Sequence, residues 1–493
     1  MNIKQYIIDN MAKCGETIYL ALNKQLIEEK KRTRTAKKGV ALLLVLSYVA
    51  IMSATVVSSF MNSQVSFAIS TNIRDDLKAY YKARSAMNLG RLMLTYQYEL
   101  EQDEFFGVRI SRSNFQMYQI LDLLMTPFKT GIVKVDVPGE STIASYDLKA
   151  AGVDAMGDET GDFNVKVFPE EGRININKFK TGSPGENIID LCMLFASPQY
   201  DELFNTSGKD RDKLSRTELI AAIIDWVDAD SDRTIITEDC VLEESSGDEA
   251  SPYLRSRLNY EIKNDKFTTL DELHEVAGVG DNFMNTFKEA LTVYPVEKVN
   301  ANLANARVLY AALCKSAVPD QHLVSAANGK NVYACTDIKT GEALMMLALA
   351  LEGYQQFVLN PLNLLYLYTV EGQLSVIPGV VPNGTVVPFR NTYEFTRVVE
   401  AMQKDPQLIK KFLMYSPTAY LMLAEQILTI VVEQFGVNVL KFDNDKIYNN
   451  ITAESPRIFR IVATGEYDGT KKMISTVINF NTQGGQFLYW REY

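Results

Sequence analysis

Lys37-Lys38-Gly39-Val40-Ala41-Leu42-Leu43-Leu44-Val45-Leu46 is the stretch on which the reading of this chain turns. Two lysines and a glycine open an apolar run that holds no charged residue until Arg74. Its densest part, Val40 to Met61, would span roughly 33 Å as a helix, enough for a hydrocarbon core of about 30 Å. The next segment, Arg74-Asp75-Asp76-Leu77-Lys78-Ala79-Tyr80-Tyr81-Lys82-Ala83-Arg84-Ser85-Ala86-Met87, continues without glycine or proline until Gly90. Tyr80, Ala83, Met87, Gly90 and Leu94 recur at three- and four-residue spacing, the period of one helix face. The pattern predicts a single helix from Val40 to near Tyr98, apolar first and amphipathic later.

Charge divides at the same place. Met1 to Gly39 carries nine Lys/Arg against four Asp/Glu, whereas the 493-residue chain as a whole has a net charge of −11. A basic leader and an acidic body on either side of one apolar stretch is the layout of a chain whose N-terminus stays in the cytoplasm while the rest crosses the membrane. An acidic body also argues against nucleic-acid binding by simple electrostatics. Three readings of the apolar stretch compete: a plain signal anchor, a signal peptide cut near Ser53-Ala54 or Ser58-Ser59, and a prepilin leader cut after Gly39 that leaves the helix on the mature chain.

The run KKGVALLLVL followed by RDDLKAYYKARSAMNLG resembles the start of the minor pseudopilin K family of bacterial type II secretion systems. The resemblance implies that a prepilin peptidase cleaves after Gly39 and methylates Val40. Most pilins carry Glu at the fifth mature position, which here is Leu44, and lack of that Glu is a feature of the K family. A carboxylate in lipid is costly unless paired, and a subunit at a filament tip has no neighbour above it to pair with. Thirty-nine residues is long for such a leader. Met11 is an alternative start, or the leader carries an extra helix, since Tyr6 to Glu29 is loosely amphipathic.

Beyond the helix, 131–137 and 163–168 alternate apolar and polar residues, as half-buried strands do. Glu170-Glu171-Gly172-Arg173-Ile174-Asn175-Ile176-Asn177 resembles the K-family phrase that ends a sheet strand and leads into a helical insertion. Helical spacing recurs over 216–226, 269–276, 281–291, 304–315, 341–351, 393–403 and 406–435, with a Pro/Gly/Val-rich interlude at 374–389. Ile174-Asn175-Ile176-Asn177 and Val299-Asn300-Ala301-Asn302 each precede a helical stretch and hint at a duplicated subdomain. Alternation returns at 458–465, 472–480 and 487–490, and Leu488-Tyr489-Trp490-Arg491-Glu492 resembles the K-family terminus. The expected fold is α+β: a pilin-like long N-terminal helix and a small antiparallel sheet, with a large, mostly helical domain inserted. The expected divisions are a cytoplasmic prepilin leader (1–39), the helix (40–98), the first part of the sheet domain (99–174), the insertion (175–455) and the C-terminal strands (456–493).

Asp225-Trp226-Val227-Asp228-Ala229-Asp230-Ser231-Asp232 is the best candidate site. Carboxylates at Asp228, Asp230 and Asp232 can converge on a hard cation such as calcium, which takes six to eight oxygens. It is not an EF-hand: counted from Asp228, position six is Arg233 where glycine is needed, and position twelve is Asp239. The K family has a similar stretch that binds calcium with further acidic ligands downstream. The resemblance therefore implies a structural calcium held by Asp228, Asp230 and Asp232 with Glu238 and Asp239, while Glu243, Glu244 and Asp248 are also available. The competing reading is a solvated acidic loop that caps a helix.

Thr269 to Gly280 has the helix-hairpin-helix pattern, which in DNA-binding proteins offers backbone N–H groups to phosphate. Here Asp271, Glu272, Glu275 and Asp281 surround the hairpin and would repel an anion, so it reads as a packing device. Thr269 and Glu272 fit a capping box. Cys192, Cys240, Cys314 and Cys335 fall on the exported side, where two disulfides can form with their pairing open; free buried thiols are the competing reading. With only His274 and His322 and no nucleophile motif, the sequence offers no catalytic constellation.

The resemblance implies a non-enzymatic minor pseudopilin, single-pass in the inner membrane with its bulk in the periplasm. It further implies a place at the pseudopilus tip, where the protein initiates assembly and aids export across the outer membrane. Its partners would be minor pseudopilins I and J, the major pseudopilin, the prepilin peptidase and the inner-membrane secretion platform, with no nucleic acid. The rival readings are a minor pilin of a type IV pilus, which usually keeps the fifth-position Glu, and a membrane-anchored helix-hairpin-helix DNA-binding protein.

Overall fold

The computed structural model describes residues 3–29, 38–102, 104–105, 108–109, 116–130, 132–135, 144–147, 161–180, 184–204, 214–243, 247–250, 253, 260–319, 333–359, 387–417, 440–482 and 484–493. The 374–386 part of the interlude, the 418–435 part of the last expected helix, Glu244 and His322 lie outside them. The chain divides into two units, 1–75 and 76–493. The first unit contains helix α1 (Ile3–Glu29) and the apolar part of α2 (Lys38–Gln102). Helix α2 has 65 residues, and its apolar stretch is exposed and long enough to cross a membrane.

In the second unit, residues 76–102 of α2 pack on an antiparallel sheet. Its strands are β1 (Phe163–Pro169), β6 (Ile458–Tyr467), β7 (Thr470–Asn479) and β8 (Gln486–Glu492), in spatial order β8-β7-β6-β1. Ala83, Ala86, Met87 and Leu94 bury their side chains against Phe163, Val165, Phe459, Ile461, Ala463 and Ile478, so the predicted stripe is the docking face. The helix comes so close at Gly465 that a Cβ there would overlap the backbone of Ala79 and Ala83.

The insertion leaves the sheet after β1 and returns into β6. Phe459 pairs with Pro169, and Glu170 N–H donates to Ile458 O at 2.9 Å. At this neck, buried Glu170 accepts from Arg460 Nε (2.8 Å), Arg173 (3.2 Å) and the Thr292 hydroxyl (2.8 Å). Charge-assisted bonds to every side make such a buried carboxylate tolerable.

The inserted domain is built twice on one plan. In the first half, β2 (Ile174–Asn175) pairs in parallel with β3 (Leu291–Thr292). In the second, β4 (Val299–Asn300) pairs in parallel with β5 (Ile451–Thr452). The second asparagine of each Asn-x-Asn phrase clamps a distant loop. Asn177 donates to Phe267 O (2.9 Å) and Val293 O (2.7 Å) and accepts from Phe267 N (2.8 Å). Asn302 donates to Phe389 O (2.8 Å) and Ala453 O (3.0 Å) and accepts from Phe389 N (2.8 Å). The duplication hinted at by the two phrases is thus present in the hydrogen bonding. Helix α3 (Leu121–Thr130) adds Leu121 and Met125 to the core under the sheet, whereas helices α4 (Pro184–Phe195), α5 (Arg216–Val227) and α6 (Asp281–Phe287) belong to the first half of the insertion. Helices α7 (Ala306–Ser316), α8 (Ile338–Leu359), α9 (Thr392–Lys404) and α10 (Pro406–Leu413) belong to the second. Their apolar faces form one continuous core.

Two expected details differ. The Leu270–Glu275 segment is a 3-10 helix, and Thr269 makes no side-chain cap. Glu272 instead accepts from the Thr268 N–H at 3.2 Å and from the Thr268 hydroxyl, so no threonine oxygen caps a helix N–H here and the expected capping box does not form. The bond from a glutamate to the N–H four residues back recurs in the second half, where Glu394 accepts from Arg390 N at 2.8 Å.

Candidate metal centre

Helix α5 begins with a capping box: Ser215 Oγ accepts from Glu218 N, and Glu218 Oε2 accepts from Ser215 N. Leu219 to Val227 are all buried, so the helix carries its last acidic residue, Asp225, into the protein at 3% exposure. Asp228 is the C-cap. The chain then turns, because Asp230 Oδ1 accepts from Asp232 N at 2.9 Å. A short hairpin follows, Ile235–Ile236 against Leu242–Glu243, and its legs meet again where Asp232 bridges Asp248 and Arg233 N donates to Gly247 O. The return leg thereby delivers Glu249 to the end of α5.

Asp225, Asp228 and Glu249 offer carboxylate oxygens that all lie within 4.8 Å of one another. Asp225 Oδ1 accepts from Thr234 N at 2.9 Å. Asp228 Oδ1 and Glu249 Oε1 are buried without a hydrogen-bond partner, and so is Asn264 Oδ1. Asn264 has a positive φ of 47° and donates from Nδ2 to Asp230 O at 2.7 Å. Burial and the neighbouring carboxylates push all three acids upward. Asp225 rises to about 6 by burial, against the pull of Thr234 and Arg233. Asp228 rises to about 7 by burial and the charges of Asp230 and Asp225. Glu249 rises to about 8 by burial and the charges of Asp225, Asp228 and Asp230.

Of the residues singled out in the sequence, Asp228 lies in this cluster. Asp230 and Asp232 are exposed, with the Asp230 carboxylate occupied in the turn. Glu238 and Asp239 are exposed at the hairpin tip and are not members of the group. Sequence reasoning did not list Asp225 as a ligand, because it lies in the helix, nor Glu249, because only the hairpin brings it back. Cys240, in the same turn, is bonded to Cys192 of α4, and Cys314 of α7 to Cys335.

Unpartnered oxygens converging, with none of the three acids in a salt bridge among the described residues, fit a hard divalent cation that takes oxygen ligands only. Asn264 Oδ1 would supply a neutral oxygen beside the carboxylates. The other expected sites are simpler. Gly39 and Val40 lie in the first turn of α2, and Leu44 is 65% exposed on it. His274 is exposed on the hairpin segment.

Residues 172–296, which hold the first half of the insertion and this cluster, match the family model for type II secretion system (T2SS), protein K. A search of the curated proteins finds no match. Among solved structures, the chain is similar to one in the crystal structure of the GspK–GspI–GspJ complex from the type 2 secretion system of enterotoxigenic Escherichia coli. The likeness has 10% identity and a TM-score of 0.41, and it covers 86% of this chain and 99% of that one.

Proposed function

From the match of residues 172–296 to type II secretion protein K, we infer that this chain is a minor pseudopilin, a non-enzymatic part of a type II secretion system. That match carries the reading. It is supported by the membrane-length apolar helix that continues into a sheet-packed face. The chain sits in the inner membrane by α2 with the sheet and insertion in the periplasm, where the Cys192–Cys240 and Cys314–Cys335 bonds are stable. A prepilin peptidase cleaves after Gly39 and methylates Val40. The large insertion would obstruct stacking along a thin filament and suits a place at its tip, as does apolar Leu44. There the protein starts assembly with minor pseudopilins I and J, in contact with the major pseudopilin and the secretion platform, and aids export across the outer membrane.

Calcium bound by Asp225, Asp228 and Glu249, with Asn264 beside them, holds the 228–250 loop. Its charge offsets three carboxylates that otherwise repel. The role is structural.

The deciding experiment is co-expression with a prepilin peptidase, followed by N-terminal sequencing and mass measurement. A mature chain that begins at methylated Val40 is expected. An intact N-terminus, or a cut beyond Ser53, would sink the pseudopilin reading.

A further inference from the structure

Helix α1 lies outside everything the proposed pseudopilin role uses. Met11, Cys14, Ile18 and Leu22 fall at three- and four-residue spacing on one of its faces, with Met11 56% and Ile18 48% exposed. Lys13, Glu16, Asn23 and Lys24 occupy the other side. A stripe of this kind needs a cover. The sequence after α1 says which one. Residues 30–38 read Lys-Lys-Arg-Thr-Arg-Thr-Ala-Lys-Lys, and the membrane-length helix follows at once. Nine residues reach at most about 32 Å, so α1 stays close to the bilayer its neighbour enters. Basic residues clustered beside a membrane span bind anionic headgroups, and an amphipathic helix next to them inserts its apolar face at the headgroup boundary.

We propose that α1 is an interfacial helix that lies on the anionic lipid surface at the mouth of α2, its Met11–Cys14–Ile18–Leu22 face in the lipid. This requires only that α2 sits in a bilayer, and it stands whether or not the chain is a pseudopilin. The cleavage proposed above removes α1 together with the basic string, so the contact belongs to the uncut chain.

Cys14 is the single free cysteine, the other four being paired, so an environment-sensitive fluorophore can be placed there on the full uncut chain. The labelled protein is reconstituted in nanodiscs of phosphatidylcholine alone or mixed with phosphatidylglycerol. The readouts are quenching by headgroup-level nitroxide lipid and by aqueous iodide. In the anionic discs we expect blue-shifted emission, strong nitroxide quenching and a several-fold drop in iodide quenching, all weakened in phosphatidylcholine alone. Met11→Glu or Ile18→Glu restores iodide access. Asn23→Glu, which puts the same charge on the polar side of the same helix, leaves the signal as in the parent. Equal iodide quenching in both lipids overturns the proposal. So does lipid quenching that ignores Met11→Glu and Ile18→Glu, or that is lost equally with Asn23→Glu. Protection that persists in detergent and grows with protein concentration also overturns it, because the face would then be covered by a second copy.

Discussion

Glu249 shows how much one side chain settles. Its carboxylate, 3% exposed, meets two others within 4.8 Å, and one of its oxygens has no hydrogen-bond partner. Without a cation this arrangement destabilises the fold, since burial of an uncompensated charge is expensive. Glu249→Gln should therefore melt at a higher temperature than the parent in chelator and lose the parent's calcium-induced rise, as measured by differential scanning calorimetry with and without calcium. A drop in chelator with the calcium response intact would remove Glu249 from the site. The same acids set a pH trend. All three are raised above their ordinary values of 3.8 and 4.5, up to about 8. The folded state thus holds more protons than the unfolded one across that window. In chelator, stability contributed by this site is highest below about pH 4 and falls as pH rises toward about 8. Calcium should flatten that decline, and calcium binding near pH 7 should release protons, which calorimetry in buffers of different ionisation enthalpy detects.

At the scale of elements, the paired asparagines hold each half of the insertion together. Each satisfies both backbone groups of a phenylalanine, Phe267 or Phe389, and the carbonyl just after a short parallel strand, Val293 or Ala453. Asn177→Ala or Asn302→Ala leaves such groups without partners and should cost about 3 kcal/mol each, read from urea unfolding. A loss below about 1 kcal/mol would mean that water replaces the clamp. Helix α2 is legible from its sequence because an uninterrupted apolar run leads, with no glycine or proline before Gly90, into the Ala83–Met87–Leu94 face at helical spacing. The expected capping box at Thr269 does not form, because Glu272 takes the Thr268 hydroxyl and N–H instead, and only the backbone path decides which threonine it meets.

Over the whole molecule, the two disulfides each tie a helix near its end to a later segment: Cys192 in α4 to Cys240, and Cys314 in α7 to Cys335. They close separations of 48 and 21 residues, for which chain entropy suggests roughly 3–4 kcal/mol apiece. Cys240→Ser should lower stability by about that amount. It should also weaken calcium binding, because Cys240 stands in the hairpin that returns Glu249 to Asp225. Titration with terbium, with Trp226 as the sensitiser next to Asp225, compares Cys240→Ser with the parent. Unchanged terbium affinity in Cys240→Ser would show that the loop is positioned without the bond.

What the sequence determined by itself is whatever rests on local pattern. The membrane-length helix follows from an uninterrupted apolar run, the sheet strands from alternation, the twofold insertion from two Asn-x-Asn phrases, and the acidic site from the aspartates around Trp226. The tertiary structure alone decided what depends on distant segments meeting. It chose Glu249 over Glu238 and Asp239, because the hairpin folds the chain back on itself and leaves the tip carboxylates in water. It paired Cys192 with Cys240 for the same reason, since contact between residues far apart in sequence follows from the path of the backbone between them.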